Sequence, residues 1–363
     1  MKAQDTGRGR LEQMDIEDSG PAGRRVRAIV AGATGYSGGE LCAILARHPG
    51  VSLTGVYSGE RGRSAPFTTL HPSLFGAAGP DLEPFSLEKA LGARPDVALL
   101  ATPPESSAAT APALLAAGVK VIDLSGAFRL RAADAYPRWY GFAHPSPALL
   151  SEAVYGLTEW CGDGLAAARL VANPGCYATS VLLALKPLAG MLDARSAVVC
   201  DAAGGVSGAG RQAQEAYSFC ELAGNFKAYG VGGHKHEPEM RLELGLDADA
   251  PFVFVAHLLP AVRGILSTIH VALEPGAGAE AIAAAYDRAY AGRPFVRALP
   301  EGSLPELKDV AGTPRALIGF KVVDGGRRAV IVSAIDNLLK GAASQAVQNL
   351  NALCGFREGE GLS

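Results

Sequence analysis

The chain has 363 residues, a net charge of -3 and 48% hydrophobic residues, which is enough for a large core and, by length, roughly two or three domains. It has no basic block of the kind that tracks a phosphate backbone, so nucleic acid is not an expected partner. No apolar run reaches the roughly 18 residues a membrane-spanning helix needs.

Residues 1–23 are polar, lack an apolar signal region and read as a disordered tail. The first ordered segment is VRAIVAGATGYSGGELCAILARHPG. Val26 to Val30 is a buried strand, GATGYSG follows, and a helix runs through Leu41, Ile44 and Leu45 to a stop at Pro49-Gly50. VSLTGVY, PDVALLATP and VKVIDLS are further strands, with an Ala-rich helix (SSAATAPALLAAG) between the last two. Strands alternating with helices predict an α/β domain with a parallel sheet wound on both faces. After VANPGC comes a helix, ATSVLLALKPLAG. The strands SAVVCDAAGG, FVFVAHLLP, ILSTIHVALE, ALIGFKVVDG and RRAVIVSAI then follow with few helices between them. That pattern predicts a separate domain with a mixed or antiparallel sheet. DNLLKGAASQAVQNLNALCG closes the chain as a helix.

Gly32, Gly35 and Gly38 form G-x-x-G-x-x-G, with Thr34, Tyr36 and Ser37 between them, at the first strand-to-helix turn. Glycine lets a phosphate approach the backbone there, and the helix N-terminus favours negative charge. The second strand ends in Ser58, and Arg61 and Arg63 follow, which suits a 2′-phosphate and favours NADP(H); Glu60 pulls toward NAD.

Six cysteines are scattered without paired spacing, as expected for reduced thiols in the cytoplasm. Cys42, Cys200 and Cys220 fit the usual role of small buried hydrophobe, and Cys161 and Cys354 sit near loops. Cys176 differs. Pro174-Gly175 forces a turn and a helical pattern follows, which places the thiol at a helix N-terminus that favours thiolate. The amides there would stabilise an oxyanion, and Asn173 is placed to cap the helix or donate a hydrogen bond. In GVGGHKHEPEM, His234 and His236 are two apart, so on an extended segment both reach one cavity. Acid/base catalysis is favoured over zinc because no third ligand is near; no metal is expected. VSGAGR offers Ser207, Gly208 and Gly210 for close approach to a cofactor or phosphate, with Arg211 as a charge. DLSGAFRL places Ser125 and Arg129 after a strand end, where open α/β sheets bind ligands.

The stretches GATGYSGGEL, DLSGAFRL, VYGLTE, ARLVANPGCYATS, AYGVGGHKHEPEM and HLLPAVRGILSTIHV run in order over nearly the whole ordered chain. With them the sequence closely resembles the N-acetyl-γ-glutamyl-phosphate reductase family, NADPH-dependent enzymes of arginine biosynthesis. The resemblance implies a Rossmann-type dinucleotide-binding domain over 24–174, completed by a C-terminal helix at 335–363. It implies a mixed-sheet catalytic and oligomerisation domain over 175–334, and a homodimer or homotetramer. Cys176 is then the nucleophile and His234 the acid/base group. His236, Asn173, Arg129, Ser125 and Arg211 lie near substrate. The glycine loop, Ser58, Arg61, the VSGAGR loop and Asn337 lie near the cofactor. The family usually has Pro where this chain has Ala178, and a Pro-His-Gly turn where this chain has Pro103-Pro104-Glu105. Two other enzyme readings share the chemistry: a reductase of carrier-linked aminoadipyl phosphate in lysine biosynthesis, and an aspartate-type semialdehyde dehydrogenase. A non-catalytic dinucleotide sensor would need only the glycine loop.

Overall fold

A computed structural model describes residues 24–247 and 249–362. The expected tail, residues 1–23, lies outside the described residues. Seven strands form a wholly parallel sheet: β1 (Val26–Ala31), β2 (Val51–Ser58), β3 (Leu82–Pro84), β4 (Val97–Leu100), β5 (Lys120–Asp123), β6 (Val154–Tyr155) and β7 (Leu170–Ala172). Their order is β3-β2-β1-β4-β5-β7-β6. The strands are continuous apolar runs because both faces are covered: β1, β4 and β5 are almost wholly buried.

One face carries α1 (Tyr36–Leu45), which buries Leu41, Cys42, Ile44 and Leu45. The other carries α2 (Pro104–Ala116), whose Ala108, Ala111 and Leu114 are fully buried. The second sheet is mixed, in the order β12-β13-β14-β11-β8-β10-β9. Its strands are β8 (Val198–Gly205), β9 (Lys227–Tyr229), β10 (Phe252–Leu259), β11 (Ile265–Ala272), β12 (Val296–Ala298), β13 (Ala316–Val323) and β14 (Arg328–Ile335). α3 (Cys176–Leu185) buries every residue from Tyr177 onward in the core of this sheet. Each buried Leu in such a core contributes about 1.5–3 kcal/mol. An unanticipated helix, α4 (Ala279–Tyr290), joins α3 there through Ile282, Tyr286 and Tyr290.

The chain therefore changes layers at a single turn. β7 belongs to the first sheet, α3 packs on the second, and Asn173-Pro174-Gly175 spans the gap. The final segment returns to the first sheet. A π-helical turn (Leu339–Ala343) leads into α5 (Ser344–Cys354), whose Ala346, Val347 and Leu350 join the cluster that contains Leu41 and Ile44 of α1.

Candidate active site

The two turns singled out by the sequence face one cavity of about 520 Å³, lined among others by Gly35–Gly38, Cys176, His234 and His236. The first turn fits a dinucleotide. Gly32 has φ +83°, and a Cβ there would lie 2.3 Å from the Ala101 carbonyl oxygen; one on Gly38 would lie 2.2 Å from the Gly32 oxygen. Both glycines let the turn close against β4 and α1. α1 has no side-chain cap, and its first bond runs from Gly39 N–H to Gly35 O. The amides of Tyr36, Ser37 and Gly38 are thereby left free at the cavity wall, as an anion at a helix start requires. Thr34 is exposed, and its carbonyl accepts a bond from Arg211 Nη1 at 3.1 Å. That bond links the glycine loop to the VSGAG loop.

Ser207, Gly208 and Gly210 line the same cavity. Asn337 fixes their loop: its Nδ2 donates to Ser207 Oγ (2.9 Å), and its Oδ1 accepts from Gly264 N–H (2.8 Å). Ser58 is a correction. It is buried, and its hydroxyl turns back onto the carbonyls of Gly59 and Glu83, so it offers nothing to a ribose phosphate. Arg61 is exposed and outside the cavity lining.

Cys176 begins α3. The first bond of that helix runs from Thr179 N–H to Gly175 O (2.8 Å), so the amides of Cys176 and Tyr177 at the cavity wall precede it. The expected Asn173 cap is absent. Asn173 is fully buried, accepts from Asn349 Nδ2 (2.9 Å) and donates to the Ala342 carbonyl (3.3 Å), fastening the turn to the C-terminal segment. Nor does the helix start alone make a thiolate. Burial pushes the Cys176 thiol above its ordinary value; Arg129, the Tyr177 N–H and Lys235 pull the other way, and Glu239 adds to the rise. The other cysteines show the contrast: Cys42 and Cys161 are pushed up to about 12 by burial. Cys220, expected to be buried, is exposed.

His234 and His236 do not lie on a strand. They sit in a turn that opens the helix Glu237–Glu243, with ring centroids 4.9 Å apart. His234 Nδ1 accepts the His236 backbone N–H at 3.2 Å, so its neutral ring carries the proton on Nε2. Burial and then the charge of Lys235 push His234 down to about 4. His236 is held well below its ordinary value by burial first, then by His234, Arg129 and Lys235. Its ring packs on Gly175: a Cβ there would lie 2.6 Å from Nε2. Two buried atoms of the wall, His236 Nδ1 and Tyr140 Oη, have no partner among the described residues.

Sequence reasoning misses Glu239. Fully buried, it accepts from Gly175 N–H (2.7 Å) and Tyr155 Oη (2.6 Å) on one oxygen and meets Arg129 Nη1 (3.5 Å) with the other. Its signal was its place three residues after His236 at a helix start. Arg129 also donates to the carbonyls of Asn173 (2.8 Å) and Leu124 (2.7 Å), so its guanidinium holds the nucleophile turn. The Ser125 hydroxyl donates to Asp123 Oδ2 (2.8 Å) and accepts from Ala127 N–H (3.1 Å), which organises the loop after β5. Among the described residues no cluster of three or more metal-ligating side chains forms, and no helix is long and apolar enough to cross a membrane.

Residues 27–168 match the semialdehyde dehydrogenase NAD binding domain, and residues 176–337 the semialdehyde dehydrogenase dimerisation domain. An N-acetyl-gamma-glutamyl-phosphate reductase of Desulfotalea psychrophila is 44% identical over 93% of this chain and 98% of its own. One of Escherichia coli O157:H7 is also 44% identical (93% and 99%), and one of Halorhodospira halophila 46% (92% and 96%). The chain belongs to the N-acetyl-gamma-glutamyl-phosphate reductase family. Solved structures share the fold at low identity. Aspartate semialdehyde dehydrogenase II of Vibrio cholerae superimposes with a TM-score of 0.67 at 19% identity, covering 91% of this chain and 98% of that one. The Candida albicans enzyme, solved with NADP, gives 0.63 at 14% (91% and 98%). The second match begins at Cys176, the residue that opens α3.

Proposed function

We propose that the protein reduces N-acetyl-γ-glutamyl phosphate to N-acetylglutamate 5-semialdehyde with NADPH, releasing phosphate, in arginine biosynthesis. One observation carries this reading. A cysteine at a helix start with free amides shares a cavity with two neutral histidines and with the free amides of the glycine-loop helix.

His236 and His234 are neutral at pH 7 and sit beside the nucleophile turn; His234 already carries its proton on Nε2, so the unprotonated ring nitrogen of His236 takes the proton of the Cys176 thiol as sulfur attacks the acyl carbon. The Cys176 and Tyr177 amides hold the acyl oxygen as it gains charge. Phosphate leaves with the bonding electron pair, and a thioester on Cys176 remains. A reduced nicotinamide, when bound, supplies the hydride. The His234 Nε2–H donates its proton to the acyl oxygen as the hydride arrives and takes it back as the carbon–sulfur bond breaks, which frees the aldehyde; the proton first taken from the thiol returns to Cys176. Gly35, Tyr36, Ser37 and Gly38 would hold the pyrophosphate, and the VSGAG loop, pinned by Asn337, the nicotinamide end. Arg61 and Arg63, on the loop after β2, support NADP over NAD. Tyr140 Oη and His236 Nδ1 offer partners for the polar groups of the substrate.

The assembly in this reading is a homodimer or homotetramer built through the second domain. Support comes from its dimerisation-type family match and from Phe219 and Phe226, 83% and 57% exposed. The location is cytoplasmic, consistent with all six cysteines being free. The test runs the reaction backwards with N-acetylglutamate semialdehyde, inorganic phosphate and NADP, beside a Cys176→Ser variant. Phosphate-dependent formation of reduced nicotinamide by the wild type alone is expected. Activity only on aminoadipate semialdehyde, free or carrier-linked, or on aspartate semialdehyde would replace the substrate. Retained activity in Cys176→Ser would overturn the mechanism.

A further inference from the structure

We propose that Lys235 is the receptor for the phosphoryl group of the acyl phosphate, the one cation lining this cavity that has no partner among the described residues. The proposal rests on the acyl-phosphate reading above and adds a residue to it.

Three cationic side chains line the cavity: Arg129, Arg211 and Lys235. Arg129 is spent on the protein, with the Asn173 and Leu124 carbonyls and Glu239 taking its guanidinium. Arg211 gives one donor to the Thr34 carbonyl, which directs it to the glycine loop. Lys235, exposed like Arg211, falls between His234 and His236 in the chain and has no hydrogen-bond or ion-pair partner among the described residues, so its three ammonium donors are uncommitted. It is close enough to Cys176 for its charge to favour the thiolate.

The chemistry then places the phosphate. Sulfur approaches the acyl carbon from about 3–3.5 Å, and the leaving oxygen is bonded to that same carbon. The phosphoryl group must therefore lie close to Sγ. The helix-start amides are taken by the acyl oxygen, which leaves phosphate to a side chain. When the sulfur–carbon bond forms and the carbon–oxygen bond breaks, the electron pair goes to the phosphate oxygen. An ammonium matches that growing charge without a proton transfer, and lysine serves phosphate as a point charge.

The experiment compares wild type, Lys235→Met and Lys235→Arg in the reverse reaction with NADP, varying inorganic phosphate. Lys235→Met should raise the KM for phosphate roughly ten- to a hundredfold, the value of a charge-assisted bond, while the KM for NADP stays unchanged. Lys235→Arg should restore most of the loss. A second readout needs no turnover: inorganic phosphate should slow iodoacetamide alkylation of Cys176 in the wild type and not in Lys235→Met. An unchanged phosphate KM in Lys235→Met, or phosphate protection that survives the substitution, overturns the proposal while the reaction itself stands. A wild type that shows neither phosphate-dependent reduction nor phosphate protection removes both.

Discussion

At the scale of single residues, the site is built by burial more than by charge. His234 is 9% exposed and ringed by Tyr177, Tyr229 and Phe254 at centroid distances of 5.2–5.8 Å. These neighbours disfavour the imidazolium, so the ring stays neutral through the physiological range. The consequence for stability has a definite sign. Its pKa lies near 4 in the folded protein, below the unfolded value of about 6.5, so its contribution is complete above about pH 6.5 and is lost as pH falls toward 4. His234→Asn tests both roles. Turnover should drop by roughly two to four orders of magnitude. The fall of the unfolding free energy between pH 6.5 and 4, measured by urea titration, should become shallower, by up to about 1.4 kcal/mol per pH unit. Unchanged turnover in His234→Asn, with turnover lost in His236→Asn, would transfer the acid/base role to His236.

Among elements, the π-helical turn Leu339–Ala343 has the most direct bearing on the nucleophile. Such turns are rare and concentrate at functional sites. This one brings Gly341 against Cys176, where an added Cβ would lie 2.7 Å from the cysteine Cβ. Gly341→Ala should therefore displace Cys176, and a displacement approaching 1 Å costs roughly a hundredfold in kcat. NADP affinity, read by fluorescence titration, should change little, because the free amides of α1 are not involved. Wild-type kcat in Gly341→Ala would show that the turn yields instead. Nothing in DNLLKG announces this contact, because a helix-period pattern does not distinguish a π turn from an α turn. The sequence is also silent about β3, β6, β9 and β12, which are two or three residues long and occupy the edges of the two sheets. Their pairing comes from the neighbouring strand, not from an apolar run of their own. By contrast β1, β2, β8, β10 and β11 are legible, since long buried strands must be apolar or alternate. The cavity is legible in part: its backbone turns are written in glycine and proline, while partners such as Glu83 for Ser58, Asn349 for Asn173 and Glu239 for Arg129 come from distant segments and leave no local pattern.

On the scale of the whole molecule, the C-terminal segment ties the site to the back of the first domain. Its helix is studded with buried polar residues, and most find a distant partner, Ser344 Oγ being left without one among the described residues. Asn349 bonds Asn173 and the Gly156 carbonyl, Gln345 bonds Thr158, and Lys340 bonds both Glu159 (2.5 Å) and Gln348 (2.7 Å). Lys340 and Glu159 are both fully inaccessible. Burial pushes the Glu159 carboxyl up, but Lys340 and the surrounding bonds pull it further down, so it stays ionised. A buried pair of this kind contributes little net stability, yet breaking it is costly, because one charge is then left unpaired. Lys340→Met should lower unfolding free energy by about 3–5 kcal/mol, measured by urea titration. Adding Glu159→Leu should recover much of that loss by removing the orphaned carboxylate. Because Gly341 follows Lys340 directly, the single variant should also lose activity at temperatures where it is still folded. A midpoint that does not move in Lys340→Met would mean that the polar network closes around the gap, and that the rest of the helix packing holds Gly341 against Cys176.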